Sequence, residues 1–256
     1  MAYQLQEIND RIRADAKGFL EECDFSFRRR VEEAANRIVN RTAESPIVLL
    51  SGPSGSGKTT TALKLEEELE RRGISTHTIS MDNYFRTMNP KTAPRTPEGA
   101  IDYESPLNLD MELLDETFTK LYISARSNVC DGDLLRFKGT WMRLTRRAVR
   151  DFNFRGTDIS TTLDMWADVR RGEKLYISPF KNKADVIIDS SLRYEVSVMK
   201  NYALPMLQAV PEENQRRAEL LDLIDAFQWF EPIDPELVAR DSLIREFIGG
   251  GSYKYH

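Results

Sequence analysis

Residues 52–60 read Gly-Pro-Ser-Gly-Ser-Gly-Lys-Thr-Thr, a full match to the pattern G-x-x-x-x-G-K-[ST]. The residue types suit a polyphosphate. Gly52, Gly55 and Gly57 permit backbone conformations and close approaches that a Cβ would hinder, so successive N–H groups, those of Ser54 and Ser56 among them, can turn inward around a phosphate. Lys58 can reach the β and γ phosphates as a point charge, and the Thr59 hydroxyl is placed to ligate Mg²⁺, with Thr60 next along the binding turn. The competing reading is a Gly/Ser-rich turn that fits the pattern by accident. Three further groups could work beside the loop. Asp82 ends an alternating run and could act as a general base or a Mg²⁺-associated carboxylate; a turn-forming Asp is its alternative. Asp102 and Tyr103 close a proline-rich stretch. Arg143, Arg146, Arg147 and Arg150 fall at i, i+3, i+4 and i+7, so on a helix four guanidinium groups share one face. They could close over transferring phosphates or form a solvated face.

The loop needs a strand before it and a helix after it, and the flanks supply both. Pro46-Ile-Val-Leu-Leu50 is short, apolar and partly β-branched, as a buried parallel strand should be. Ala62, Leu63, Leu65 and Leu69 then recur at helical spacing over Thr60 to Arg72, and that helix adds its positive end to the loop. A second strand is expected over Ile74–Met81, which sets Asp82 at a strand's carboxyl end, where ligands sit in open α/β sheets. Residues 86–105 read as an irregular loop, too long for a simple connection and therefore a binding segment. The spacing predicts a helix over Leu107–Leu121 and a strand over Tyr122–Ala125, with no turn residue between them. Ala184–Ser190 reads as another buried strand, with Asp189 as a strand-end turn residue or a second Mg²⁺-associated acid. Leu192–Val210 and Glu212–Phe230 read as helices, and Phe247–His256 as a flexible tail. At the other end, residues 5–42 read as two helices broken near Asp24-Phe25-Ser26, with Arg28-Arg29-Arg30 on a solvated face.

Composition removes several classes of chemistry. His77 and His256 are the only histidines among 256 residues, which argues against His-based metal sites and Ser-His-Asp hydrolysis. Cys23 and Cys130 are too few for a disulfide framework. A net charge of −5 does not suggest general nucleic-acid binding, despite the basic run from Arg136 to Arg155. No apolar stretch approaches the roughly 20 residues that span a bilayer, and the first residues lack the character of a signal peptide, so a cytoplasmic protein with no membrane partner is expected.

The chain resembles the uridine kinase and phosphoribulokinase family of P-loop kinases, most of all the uridine-kinase-like domain of some larger bacterial proteins. The resemblance covers nearly everything from Ile47 to Ser252. It rests on Gly52–Thr60, Ser80-Met-Asp-Asn-Tyr-Phe85, Ile101-Asp-Tyr-Glu-Ser-Pro106, Arg143–Asp151 with Phe154-Arg-Gly156, and Ala184–Ile188. It implies that Asp82 takes the proton from the acceptor hydroxyl and shares the Mg²⁺ site with Thr59, and that Asp102 holds ribose hydroxyls. Tyr84, Tyr103 and Arg147 would contact the acceptor, and Arg143 and Arg146 would be lid arginines on phosphates. The chain departs from the family in one place: the hairpin lid and the buried strand ending in an acidic Glu-Gly segment have no counterpart before Tyr122.

The expected fold is a three-layer α/β P-loop fold with a parallel sheet: a helical extension over 1–44, the kinase core over 45–210, and a helical extension with its tail over 211–256. The expected function is ATP- and Mg²⁺-dependent phosphorylation of a nucleoside-like hydroxyl, uridine or cytidine by resemblance. A non-catalytic nucleotide-binding module and a nucleic-acid-associated NTPase stand as alternatives. Nucleic acid is not an expected partner, and a homo-oligomer is left open.

Overall fold

The computed structural model describes residues 2–78, 89–97, 99–102, 105, 107, 118–214 and 217–255. Asp82, Tyr84 and Tyr103 lie outside the described residues, as does most of the helix expected over Leu107–Leu121. The end of that stretch differs from expectation: Phe118–Ser124 forms one strand, β3, running through Leu121 and Tyr122, so no helix-to-strand junction exists there. An isolated apolar run cannot distinguish helix from strand, and pairing on both sides settles it here. β3 lies between β2 (Ile47–Ser51) and β6 (Val186–Asp189), parallel to both. Ser51 pairs with Tyr122 and Ser124 with Asp189, so the carboxyl ends of all three strands open on the same side. The expected α/β fold with a parallel sheet is what the chain adopts.

The first element is a short strand, β1 (Ala2–Gln4), followed by one long helix, α1 (Leu5–Arg41). The break expected near Asp24 is absent. The irregularity falls instead at Asp15, whose φ of −160° and ψ of 85° kink the helix. Its buried face, from Ile8 and Phe19 through Phe27 and Val31 to Ile38, belongs to the same hydrophobic cluster as the sheet and the C-terminal helices. Each such side chain contributes roughly 1.5–3 kcal/mol. Among the described residues, Ile74–Thr78 carries no strand pairing.

After β3 comes a hairpin the sequence reading did not anticipate, β4 (Asn128–Asp131) and β5 (Leu134–Phe137), with β1 parallel to β4 on its other side. Its signal was present: Gly132-Asp133 between two strand-like runs marks a two-residue turn, and Gly132 takes the positive φ, 57°, that its first position demands. The helices are α2 (Lys58–Arg71), α3 (Gly139–Arg155), α4 (Ile159–Gly172), α5 (Glu195–Gln208), α6 (Arg217–Gln228) and α7 (Arg245–Ile248). The stretch expected as a flexible tail is held by contacts: Phe247 is fully buried, Ile248 is buried, and Ser252 N–H donates to the Arg240 carbonyl at 2.8 Å.

Candidate active site

The loop between β2 and α2 has the geometry its composition called for. Gly55 and Gly57 adopt φ of 69° and 79°, and a Cβ on Gly52 would lie 2.1 Å from the Ile123 carbonyl oxygen. The glycines are therefore required both by conformation and by the close passage of β3. Lys58 folds back across the loop, donating to the carbonyls of Gly52 at 2.7 Å and Pro53 at 3.2 Å. Burial lowers its pKa, opposed by the nearby carboxylates of Glu246 and Glu173. A cation held against carbonyl dipoles can turn to a phosphate without leaving the loop. Thr59 is exposed in the first turn of α2, and the buried Ser56 Oγ has no hydrogen-bond partner, an orphan polar atom inside the cradle. These features fit a nucleotide phosphate with a hard cation on Thr59.

Helix α3 lies directly on this loop. A Cβ on Gly55 would approach the Arg143 carbonyl oxygen to 2.6 Å, and Arg143 and Arg146 donate to the carbonyls of Ser54 and Gly55, each at 3.1 Å. Both side chains are buried in ion pairs, Arg143 with Glu173 and Arg146 with Glu195 and the Ser190 carbonyl. Arg147 reaches Ser54 Oγ at 3.0 Å and pairs with Asp151, which also takes Arg150 and Arg155. The repulsion inherent in four arginines on one face is thus met by the protein's own acids. Glu173 is central: it accepts from the Ser54 N–H at 3.0 Å while receiving Arg143 and Arg170. Sequence reading passed over Glu173, Glu195 and Glu246. The signal for the last was a lone acid inside the apolar run Leu243–Ile248.

Asp189 is a strand-end acceptor. It takes Ser127 Oγ, Ser191 N–H and the Arg126 N–H, and these bonds hold its pKa low against a burial effect that pushes it up. Asp102 is 3% exposed and receives Arg171 at 3.0 Å and the Tyr176 hydroxyl at 3.0 Å. A cavity of about 380 Å³ opens beside Pro53 at the end of β3, lined by Ser124, Arg126, Lys138, Arg170 and Lys181 among others. Small-molecule sites typically span ~300–1,000 Å³. Among the described residues no group of three or more His, Cys, Asp or Glu could hold a metal ion.

The sequence profile of the Phosphoribulokinase / Uridine kinase family matches residues 47–129, which include the phosphate loop and β3. Over those residues the chain is similar to that family. A uridine kinase of Bacillus velezensis is 24% identical over 221 residues, covering 67% of this chain and 98% of that protein. These similarities support an ATP-dependent kinase function, and a kinase of that family uses a nucleotide and usually Mg²⁺. Among its described residues no helix is long and apolar enough to cross a membrane.

Proposed function

We propose that the chain transfers the γ-phosphate of ATP to a hydroxyl of a nucleoside-like acceptor, uridine or cytidine at the 5′ position. The observation that carries this is the loop itself, with positive-φ glycines, a half-buried lysine folded onto the loop carbonyls and an arginine helix seated on Ser54 and Gly55. Lys58 and the guanidinium groups of α3 would offset charge on the transferring group, Arg147 among them beside Ser54 Oγ. Bound Mg²⁺ would neutralise phosphate charge, with the Thr59 hydroxyl as its ligand from the chain. Asp82 would take the proton from the acceptor hydroxyl, a role resting on its place in the sequence. Asp102, held rigid by Arg171 and Tyr176, would orient the acceptor's ribose hydroxyls. A small acceptor suits the site better than a nucleic acid, because Arg143, Arg146, Arg147 and Arg150 are each paired with a carboxylate.

The test is a coupled assay of ADP release with Mg-ATP and a panel of nucleosides. Uridine- or cytidine-stimulated turnover is expected. Nucleotide binding without stimulation by any acceptor would overturn the transfer reaction and leave a nucleotide-binding module.

A further inference from the structure

The segment from Ala239 to Ser252 touches both halves of the phosphate site from behind. Helix α2 has no acidic residue of its own in its first turn and no side-chain cap. A carboxylate reaches that turn from the far end of the chain: Glu246, 5% exposed, accepts from the Thr60 N–H at 3.1 Å and from Thr60 Oγ1 at 2.6 Å. Thr60 is itself fully buried and directly follows the Mg²⁺-ligand candidate Thr59. Two neighbours of Glu246 complete the contact. Leu243 packs so tightly on Gly57 that a Cβ there would meet its Cδ1 at 2.7 Å. The Phe247 ring lies 5.2 Å from the Arg146 guanidinium, and its carbonyl accepts from Asn153 of α3.

The segment is stiffened so that these contacts have fixed spacing. Arg245 donates to the carbonyls of Pro235, Val238 and Gly249, and Gly249 and Gly250 take positive φ to turn the chain back. Ser242 anchors it to α1 and α5 through Asp24 and Tyr194. Apolar packing alone would not call for a buried carboxylate, which costs free energy unless it is hydrogen-bonded. Its two bonds to Thr60 are directional, and they set the rotation and height of the turn that presents Lys58 and Thr59.

We propose that Glu246 is a positioning residue for nucleotide binding, the contact through which the 239–252 strap holds the start of α2 in register with the arginine helix. This rests on reading Gly52–Thr60 as a nucleotide site. The test measures affinity for a non-hydrolysable ATP analogue by calorimetry, alongside melting temperature, on the full chain. Glu246→Ala should weaken binding about tenfold and Thr60→Val about threefold, while the double variant should bind no worse than Glu246→Ala, because both remove one interaction. Glu246→Gln, which keeps an acceptor oxygen, should recover most of the affinity. Leu220→Ala, in α6, should lose melting temperature with unchanged affinity. Additive losses from Glu246→Ala and Thr60→Val overturn the proposal, as does an affinity loss in Leu220→Ala that tracks its melting temperature as closely as in Glu246→Ala. Should Glu246→Ala not fold, Thr60→Val with wild-type affinity is enough to overturn it. A wild-type chain that binds no nucleotide overturns the proposed function along with this one; a wild type that binds while the variants match it overturns this one only.

Discussion

On the phosphate side of the cleft, Ser54, Gly55, Gly57 and Thr60 are each touched by residues that come from 89 to 186 positions further along the chain. On the acceptor side, the described residue with an assigned role is Asp102, held by Arg171 and Tyr176 from the end of α4 and the turn after it. The contrast separates two ways of making a site. The loop is held by buried ion pairs and backbone hydrogen bonds before any nucleotide arrives, so less ordering remains to be done on binding. The proposed acceptor recognition would rest instead on the stretch from Asp82 to Tyr103, of which Asp102 is the described residue with a proposed role.

The largest effect that would probe this contrast falls on the buried pairs. Arg146→Ala leaves Glu195 buried without its partner and should cost about 3–5 kcal/mol of stability, seen as a large drop in urea midpoint with unchanged slope. A drop no larger than for a surface arginine such as Arg29 would mean that the loop is not braced from α3. Lys58→Ala should leave stability near wild type, because its bonds are to two loop carbonyls, yet reduce turnover on the order of 10²–10³-fold. Steady-state kinetics and a melting curve on the same preparation check both halves.

A titration tests the brace from α1. Burial raises the pKa of Asp24 to about 6, against the lowering effect of hydrogen bonds from Ser242 and Tyr194. The folded chain then binds this proton more tightly than the unfolded one, so its contribution to stability is greatest below pH ~4 and is lost as pH rises through about 6. Asp24→Asn should flatten that fall and gain up to about 3 kcal/mol at pH 8 relative to pH 4, measured by urea unfolding at both pH values. An unchanged pH profile would show that Asp24 titrates normally. The smallest effect is expected on the acceptor side: Asp102→Asn should raise the KM for the nucleoside about tenfold while leaving the KM for ATP unchanged. Equal changes in both would remove Asp102 from the acceptor pocket and blur the distinction between the two sides.

Legibility in the sequence followed the range of the interactions. The strands at Ile47–Ser51 and Val186–Asp189, the loop, and the helices bearing Leu65 and Arg143 were readable because apolar periodicity and glycine placement are local properties. The single helix over Leu5–Arg41 was misread near Asp24, where a polar cluster suggests a break, because Asp24 is satisfied there by Tyr194 and Ser242 from distant elements. Leu107–Leu121 failed at its end for a related reason: β2 and β6 recruit Leu121 into a strand, and pairing overrides helical spacing. The hairpin turning at Gly132-Asp133 was legible and overlooked.

By itself, then, the sequence determined that this chain carries a loop of the phosphate-binding pattern between a strand and a helix, an arginine-rich helix and motifs that resemble those of a kinase family. Those conclusions need only residue type and spacing. The tertiary structure alone decided that Arg143 and Arg146 are locked onto Glu173 and Glu195, and that the end of the chain is a strap on the phosphate loop. A buried ion pair or a carboxylate on a distant amide leaves no periodic trace, since its partners are set by how the chain folds back and not by how far apart they stand in sequence.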